Sequence, residues 1–585
     1  MTARAATGLR PARRPHPMAH RLPGRTRRTA MVLAASAWLS VLACSEPPPP
    51  APTSIDLALV NARVWTGDPA APWVDALAVA DGRIVASGTS DAIRLLAPEA
   101  DIIDARRRLV LPGFIDSYTQ LLDPDARPGG LPLAGIRSRR QLVNTVRTTA
   151  ATRAAGDWVR GHDWDQRLWG GTLPDRTWID AVTPSHPVWL VQRDAHAGLA
   201  NSVALSRARI VAGMTGADTA PDGTLTGILA GPAMRQLEAS LPPMSSPGLD
   251  RTLDAALTDA AARGITSVYH MGGWDDLDLF LRARQEGRLT LRIDAAVPLG
   301  EWVRLDRAIG VRAFGGTDGR GDGRLRVGAV HQRLDGSLAS ASAAFDAPYK
   351  NSAGANTTAS ADLQSIRPLA MAADAAGLQI VVSAVGDQAN GAALDLAAYL
   401  VERQGSRDRR FRIARAQHLH PPDVARFATG QVLASLLPFA ALHDGRWIDQ
   451  QLGPERARTS FAVRALLDAG ARVSFGSGRM NQGSPIDGIY AAVTRRTLDG
   501  LHPQGLLPDQ RVSVEQALHA YTTAAAYAGF NETRTGALTV GHLADFVIVD
   551  RGLLAVSPTD IPTVQVLLTV VGGEIVLDRL GRAES

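Results

Sequence analysis

Strand-like and helical segments alternate over most of this chain, and this pattern constrains the fold more than any other feature. Between residues 113 and 535, short apolar runs such as Leu325–Val330 and Leu378–Val382 are separated by Ala/Leu/Arg-rich stretches such as Leu253–Ala262. Strands that alternate with helices over this length favour a barrel of parallel strands. Because reactive groups in such barrels lie at the carboxyl ends of the strands, the last residues of each strand are the candidate site positions.

Both ends of the body contain short strands of their own. Asp56–Thr66 alternates apolar and polar residues, and Val564–Val571 precedes the tight turn Gly572–Gly573. The simplest arrangement places the strands of both ends in one small β-sheet domain. The sequence therefore predicts a composite β-sandwich from residues 56–112 and 536–585, and a barrel at 113–535 that carries an insertion at about 124–245.

The N-terminus has the pattern of a bacterial export signal at residues 1–43. An arginine-rich segment precedes the apolar run Ala30–Ala43, which is too short to span a bilayer. Cys44, the only cysteine, follows in a context typical of lipidation; a plain signal peptide with an incidental cysteine is the alternative. A Pro-rich tether at 44–55 leads to the body. We expect an exported protein of the periplasm or cell envelope, anchored to a membrane through a lipid on Cys44.

The net charge of +5 comes from the N-terminal segment. Residues 1–30 contain eight arginines and no acidic residue, so the remainder has 62 − 8 = 54 basic and 57 acidic residues. The body is therefore slightly acidic and lacks the basic patch with interleaved aromatics that nucleic-acid binding requires. We expect no nucleic-acid partner.

Ten short segments in the body resemble, in order, those of one protein family. They are Leu111–Ser117, Trp158–Gln166, Arg193–Ser202, Gly264–Val268, Asp335–Ser337, Gly386–Asp387, Ala416–Pro421, Gly488–Arg495, Ala520–Thr523 and Gly541–Phe546. Together they resemble the metal-dependent amidohydrolase superfamily, in the branch that includes N-substituted formamide deformylases. The resemblance implies a distorted (β/α)8 TIM barrel with a composite β-sandwich. It also implies one or two zinc ions and hydrolysis of non-peptide carbon–nitrogen bonds such as amides and formamides.

The positions where this family places its metal ligands hold other residues here. The resemblance puts two histidines, a lysine, two further histidines and an aspartate at the six positions that in this chain are Tyr118, Gln120, His331, Ser383, Arg415 and Gly478. Gln120 and Ser383 are weak neutral ligands, and Arg415 is a fixed cation that repels a metal. Gly478 offers no general base. We therefore expect no metal cofactor.

The favoured hypothesis is a pseudoenzyme that keeps the fold and has lost the chemistry. The remnant pocket would bind an unknown small molecule. Arg415 would receive an anionic group of that molecule; the alternative is that Arg415 pairs with an acid such as Asp387. Asp335 is expected to orient local backbone.

Two other hypotheses remain open. One is an active hydrolase of amide or formamide bonds with a relocated zinc site formed by His196, His270 and His331. The other is a structural protein of the cell envelope. Metal analysis separates the first of these from the pseudoenzyme. Ser383 is not expected to be a nucleophile, because it lacks the glycine-flanked turn of serine hydrolases.

Overall fold

The computed structural model describes residues 54–122, 130–193, 195–242, 246–350, 362–480, 483–497, 500 and 502–581. The predicted signal peptide, Cys44 and nearly all of the tether lie outside these residues. None of the helices within the described ranges is long and apolar enough to cross a membrane.

Eight parallel strand positions form the central sheet, and the sheet closes on itself. We number the barrel strands in chain order. Strands 1 to 7 are Phe114–Gln120, Ile265–Met271, Arg292–Pro298, Leu325–Arg333, Gln379–Ala384, Arg412–Arg415 and Leu433–Leu436. Strand 8 consists of two pieces, Val473–Phe475 and Gly478–Arg479. Each strand pairs with the next in parallel, and Gly478–Arg479 pairs with strand 1. The prediction of an α/β barrel is confirmed.

The strands form where apolar residues run without alternation, because helices or loops cover the barrel outside and side chains fill the inside. All seven residues of strand 2 are buried. Several of the helices after the strands begin at recognisable caps. In helix Pro485–Thr494, the N-cap Ser484 and Asp487 form a reciprocal capping box, and Pro485 occupies the first helical position. The helices that follow the insertion are Ser246–Ala262, Trp274–Gln285, Trp302–Gly310, Leu363–Ala375, Asp387–Gln404, Pro421–Thr429, Pro438–Asp444, Ile448–Gln451, Pro454–Ala457, Val463–Asp468, Pro485–Thr494, Val514–Tyr521 and Thr523–Ala528. Short 3₁₀ turns lie at Leu299–Glu301, Pro508–Gln510 and Pro558–Thr563.

A separate six-stranded sheet lies in the sequence between barrel strands 1 and 2. Its strands are Leu131–Pro132, Val159–Trp164, Val188–Gln192, Ala197–Ala200, Ala217–Thr219 and Leu225–Ala230. Its helices are Arg139–Ala151, Thr177–Asp180, Ser202–Arg207 and Gly231–Ala239, with a 3₁₀ turn at Gln166–Trp169. Two apolar clusters around Trp164 and Trp189 form its core.

Two further sheets take strands from the beginning and the end of the body. One has the order Arg83–Gly88, Ala76–Ala80, Leu57–Val60, Asp101–Asp104 and is flanked by helix Ser90–Leu96. The other has the order Glu574–Asp578, Val566–Val571, Phe546–Val549, Leu109–Pro112, Arg63–Trp65, Trp73–Val74. One apolar cluster includes Leu59 and Leu77 of the first sheet and Phe546 and Leu568 of the second.

Candidate functional site

Two arginines lie at the carboxyl ends of barrel strands 4 and 6, which flank strand 5. Strand register pairs Arg333 with Ser383, and Ala384 with Arg415, so strands 4, 5 and 6 bring these side chains to one side of the barrel mouth. Arg333 is an exposed residue, yet desolvation by the surrounding protein lowers its pKa, and the nearby charge of Arg415 lowers it further. The mouth therefore concentrates positive charge where the family would place a cation.

Arg415 makes no ion pair or hydrogen bond with an acid in the described part of the chain, although its charge partly offsets the burial that raises the pKa of Asp335. The alternative in which it pairs with Asp387 is wrong. The Oδ1 atom of Asp387 instead accepts hydrogen bonds from the backbone N–H groups of Asp346 (2.9 Å) and Gln388 (2.7 Å). Arg415 also has a φ of +72°, an uncommon value for an arginine.

The end of strand 1 is tied to strand 8 through a buried carboxyl group. Asp116 accepts hydrogen bonds from the Ser477 hydroxyl (2.5 Å), the Ser477 N–H (3.0 Å) and the Tyr118 N–H (3.3 Å). Burial raises the pKa of Asp116 to about 6, and these hydrogen bonds limit the rise. Further along the strand, Tyr118 is half-buried and Gln120 is exposed.

Gly478 does not leave a simple gap at the position where the family has an aspartate. Its φ is +78°, a left-handed conformation that side chains with a Cβ adopt at a cost. A Cβ built on Gly478 would lie 2.8 Å from Cδ1 of Leu437. Both the backbone and the neighbouring side chain therefore disfavour a carboxylate here.

His331 is the one imidazole among the six substituted positions, and its ring is already engaged. Its Nε2 donates a hydrogen bond to the Gly272 carbonyl oxygen at 2.8 Å. Burial lowers its pKa, so the ring is neutral near pH 7. Ser383, on the adjacent strand, is buried.

The relocated zinc site predicted from His196, His270 and His331 does not form. Among the described residues these three are not a group whose ligand atoms lie within 4.8 Å of one another. His270 is fully buried, and both of its ring nitrogens are used: Nδ1 accepts from the Leu121 N–H at 3.1 Å, and Nε2 lies 3.1 Å from Oδ2 of Asp276. A zinc ion bound to either nitrogen would have to displace the contact of that nitrogen. His196 lies in the insertion, next to strand Ala197–Ala200.

Asp335 holds the loops that follow strands 4 and 5. Its carboxylate accepts hydrogen bonds from three backbone N–H groups, those of Ala344 (3.0 Å), Val385 (2.9 Å) and Gly386 (2.8 Å). Burial nevertheless raises its pKa to about 6. Its hydrogen bonds all come from backbone N–H groups, and the nearby charge of Arg415 limits the rise in its pKa.

The structure brings together one group that the sequence did not single out. Ligand atoms of Asp346, Asp387 and His420 lie within 4.8 Å of one another, on loops that follow strands 4, 5 and 6. Nε2 of His420 is 2.8 Å from Oδ2 of Asp346 and 4.0 Å from Oδ1 of Asp387. Asp387 and His420 belong to recognisable sequence segments, but Asp346 has no motif, and only the folded loop places it beside them.

Comparison with known proteins identifies the family. The model of the Amidohydrolase family matches residues 101–577. This chain belongs to the amidohydrolase family. It is 31% identical to Protein LONG AFTER FAR-RED 3 of Arabidopsis thaliana over 90% of this chain and 92% of that protein. It is 28% identical to the N-substituted formamide deformylase of Arthrobacter pascens over 90% of this chain and 99% of that protein.

A solved structure supports the same fold. The crystal structure of an uncharacterized metal-dependent hydrolase from Pyrococcus horikoshii OT3 has a TM-score of 0.71 and 22% identity, and the match covers 86% of this chain and 99% of that one. At that identity the likeness concerns the fold of this amidohydrolase and not its chemistry.

The expected metal positions of this amidohydrolase do not fit a zinc ion. Zinc requires three or four converging nitrogen, sulfur or anionic oxygen donors. The six positions provide one neutral imidazole that is hydrogen-bonded through Nε2, and they add the charge of Arg415. No reaction step is therefore derived through a metal at this site.

Proposed function

We propose that this member of the amidohydrolase family is a pseudoenzyme whose barrel mouth binds an anionic small molecule without a metal. The observation that carries the proposal is Arg415, a guanidinium at a strand end that makes no ion pair or hydrogen bond with an acid among the described residues. Its neighbour Arg333 adds a second positive charge.

Electrostatics favours an anion over a metal at this place. Two cations in a partly desolvated mouth repel a divalent ion, and they attract a carboxylate or phosphate, which accepts charge-assisted hydrogen bonds. The guanidinium group presents paired donors in a plane, a geometry that matches such anions. The buried Ser383, which pairs with Arg333 in the strand register, adds a hydroxyl group on the same side of the barrel.

Metal content and anion binding together test this proposal. Purified protein is expected to contain far less than one zinc per chain and to show no hydrolysis of a panel of N-formyl and N-acyl amines after zinc is added. Isothermal titration with carboxylates at fixed ionic strength should show binding that Arg415→Met weakens at least about tenfold. Arg140→Met, on the exposed face of helix Arg139–Ala151, removes the same charge elsewhere and should leave binding unchanged.

The group of Asp346, Asp387 and His420 gives a second candidate, a metal site displaced from the barrel axis. About one zinc per chain that is lost in His420→Ala and kept in Arg415→Met would favour that candidate. Zinc-dependent hydrolysis of any amide in the panel would overturn the pseudoenzyme proposal.

Two finer features belong to the same proposal. The terminal sheets form the composite β-sandwich, which the shared apolar cluster supports. The protein is an exported lipoprotein acylated on Cys44, which the apolar run before that cysteine supports. Metabolic labelling with a tagged fatty acid tests the second feature, because Cys44→Ser should abolish the label and release the protein from membranes.

A further inference from the structure

A cavity of about 340 Å³ lies at the amino ends of barrel strands 3 to 6, at the opposite end of the barrel from the mouth. Its polar lining includes Asp294, Arg326, Gln379 and Arg412, each within the first three residues of its strand. Exposed Phe530 is also part of its lining. The volume is within the range of sites that hold small ligands.

Arg412 is a fully buried cation that has no hydrogen-bond partner among the described residues. The side chain is 1% exposed, and its Nε and Nη1 atoms are buried and contact no acceptor. Its guanidinium carbon lies 5.0 Å from the centre of the Tyr269 ring. The face of that ring attracts the cation but accepts no hydrogen bond from its N–H groups. A buried charge with open donors is unfavourable unless a partner fills them.

A second arginine that lines the same cavity also has buried donors without a partner among the described residues. Nε of Arg409 is 2.9 Å from a carboxylate oxygen of Asp374, but its Nη1 and Nη2 atoms are buried without a partner. Asp374 is shared with Arg407, so one carboxylate balances two cations there. The lining therefore has an excess of donors over acceptors.

Among the described residues no carboxylate of the cavity makes an ion pair with Arg412; burial lowers the pKa of Arg412, and the charge of Asp294 only partly opposes this. Asp294 accepts a hydrogen bond from Nδ2 of Asn531 at 3.0 Å, and its nearest charged partner is Arg326 at 3.7 Å. Burial raises the pKa of Asp294, which reduces its value as a counter-charge. Asp318 and Asp408 are exposed acids at the edge.

We propose that this cavity binds a small oxyanion, a carboxylate or a phosphate, with Arg412 as its central donor and Arg409 as a second donor. An anion in the cavity beside the Arg412 guanidinium would supply the missing counter-charge, and a small shift of the side chain would bring its buried donors to that anion. The site is separate from the barrel mouth, and the proposal does not depend on the proposed function.

Binding is best tested in a protein whose mouth has been disabled. In an Arg415→Met background, thermal unfolding is followed against sodium phosphate, acetate and benzoate at constant ionic strength set with sodium chloride. The melting temperature is expected to rise and saturate with phosphate or with a carboxylate, and the anion that acts identifies the source. Line broadening in phosphorus or carbon NMR of the same anions gives an independent dissociation constant.

Adding Arg412→Met should remove the saturable response or weaken binding at least about tenfold. Methionine keeps the length of the side chain, and this variant should fold at least as stably without anion, because it removes an uncompensated buried charge. Arg412→Lys serves if the methionine variant fails to fold, and it should bind more weakly for lack of paired donors. Arg140→Met in the same background should behave like its parent.

No saturable response to any of these anions would overturn the proposal and would mean that only water fills the cavity. An unchanged dissociation constant in the Arg412 variants would overturn it equally.

Discussion

At the barrel mouth, local packing and charge both disfavour a metal site. Gly478 combines a left-handed φ of +78° with a close neighbour, Leu437, whose Cδ1 would lie 2.8 Å from an added Cβ. Arg415 and Arg333 place charge on the same side of the mouth. A carboxylate placed at Gly478 would therefore meet backbone strain, and a metal ion beside the two arginines would meet electrostatic repulsion.

Gly478→Ala is expected to destabilise the protein for two separable reasons. The left-handed backbone costs a residue with a Cβ about 1 kcal/mol or more, and contact with Leu437 adds about 1–3 kcal/mol of overpacking. Gly470 is a matched control, because its φ is +81° and no atom lies within 4 Å of an added Cβ. Urea unfolding should show the larger loss for Gly478→Ala. Equal losses in the two variants would mean that Leu437 moves aside freely.

At the scale of elements, the seam between strands 1 and 8 closes the barrel with little backbone pairing. Strand 8 consists of two short pieces, and its second piece pairs with strand 1 through Gly478–Thr119 and Arg479–Gln120. The contacts of Asp116 with Ser477 reinforce this seam, and Thr119 Oγ1 lies 2.9 Å from Ser477 Oγ. The hydrogen bonds of a buried carboxyl group thus replace part of the backbone pairing between strands 1 and 8.

The raised pKa of Asp116 predicts a pH-dependent stability. The folded state holds this proton up to about pH 6, whereas the unfolded state releases it near 3.8. Its contribution to the free energy of unfolding is therefore present at low pH and is lost as the pH rises from about 4 to about 6, by about 3 kcal/mol. Asp116→Asn cannot titrate, so the difference in unfolding free energy between wild type and variant should change by that amount between pH 4 and pH 7.

Urea unfolding at several pH values measures this difference. Asp91→Asn, at an exposed position in helix Ser90–Leu96, should differ from wild type by a nearly constant amount. A constant difference for Asp116→Asn as well would show that Asp116 titrates alike in both states.

At the scale of the whole molecule, a buried ion pair joins the barrel to the terminal sheets. Arg292 on strand 3 donates hydrogen bonds to both carboxylate oxygens of Asp545, at 2.6 and 2.8 Å. Asp545 also accepts from the Gly572 N–H, at 2.6 Å. The pair connects residues that are 253 positions apart in sequence, so it can form only when both parts are folded.

Arg292→Met should lower the free energy of unfolding by about 3–5 kcal/mol, because it leaves Asp545 buried without its cation. Adding Asp545→Leu should restore part of that loss. An exposed pair between the same parts, Arg324 and Glu574, is the natural comparison, and Glu574→Gln should cost less than about 1 kcal/mol. Chemical denaturation of the wild type and the three variants measures these effects, and similar costs for the buried and exposed pairs would contradict the argument.

The sequence predicted the barrel and its family, and it located strands near both ends of the body. Hydrophobic runs and turn residues are local signals, and each one restricts the backbone wherever the chain later lies. Which residues stand at the family's metal positions stays a prediction from the resemblance. The sequence failed on side-chain convergence: the histidines His196, His270 and His331 do not form a metal group, and Arg415 does not pair with Asp387.

Only the tertiary structure decided those points, because convergence depends on strand register and loop paths that no local pattern encodes. The register of strands 4 to 6 placed Arg333 beside Ser383 and carried Arg415 to the same side. The loop after strand 4 brought Asp346 to His420. The same register buried Arg412 at the far end of the barrel with its donors open, although in sequence it is one more arginine in an arginine-rich chain.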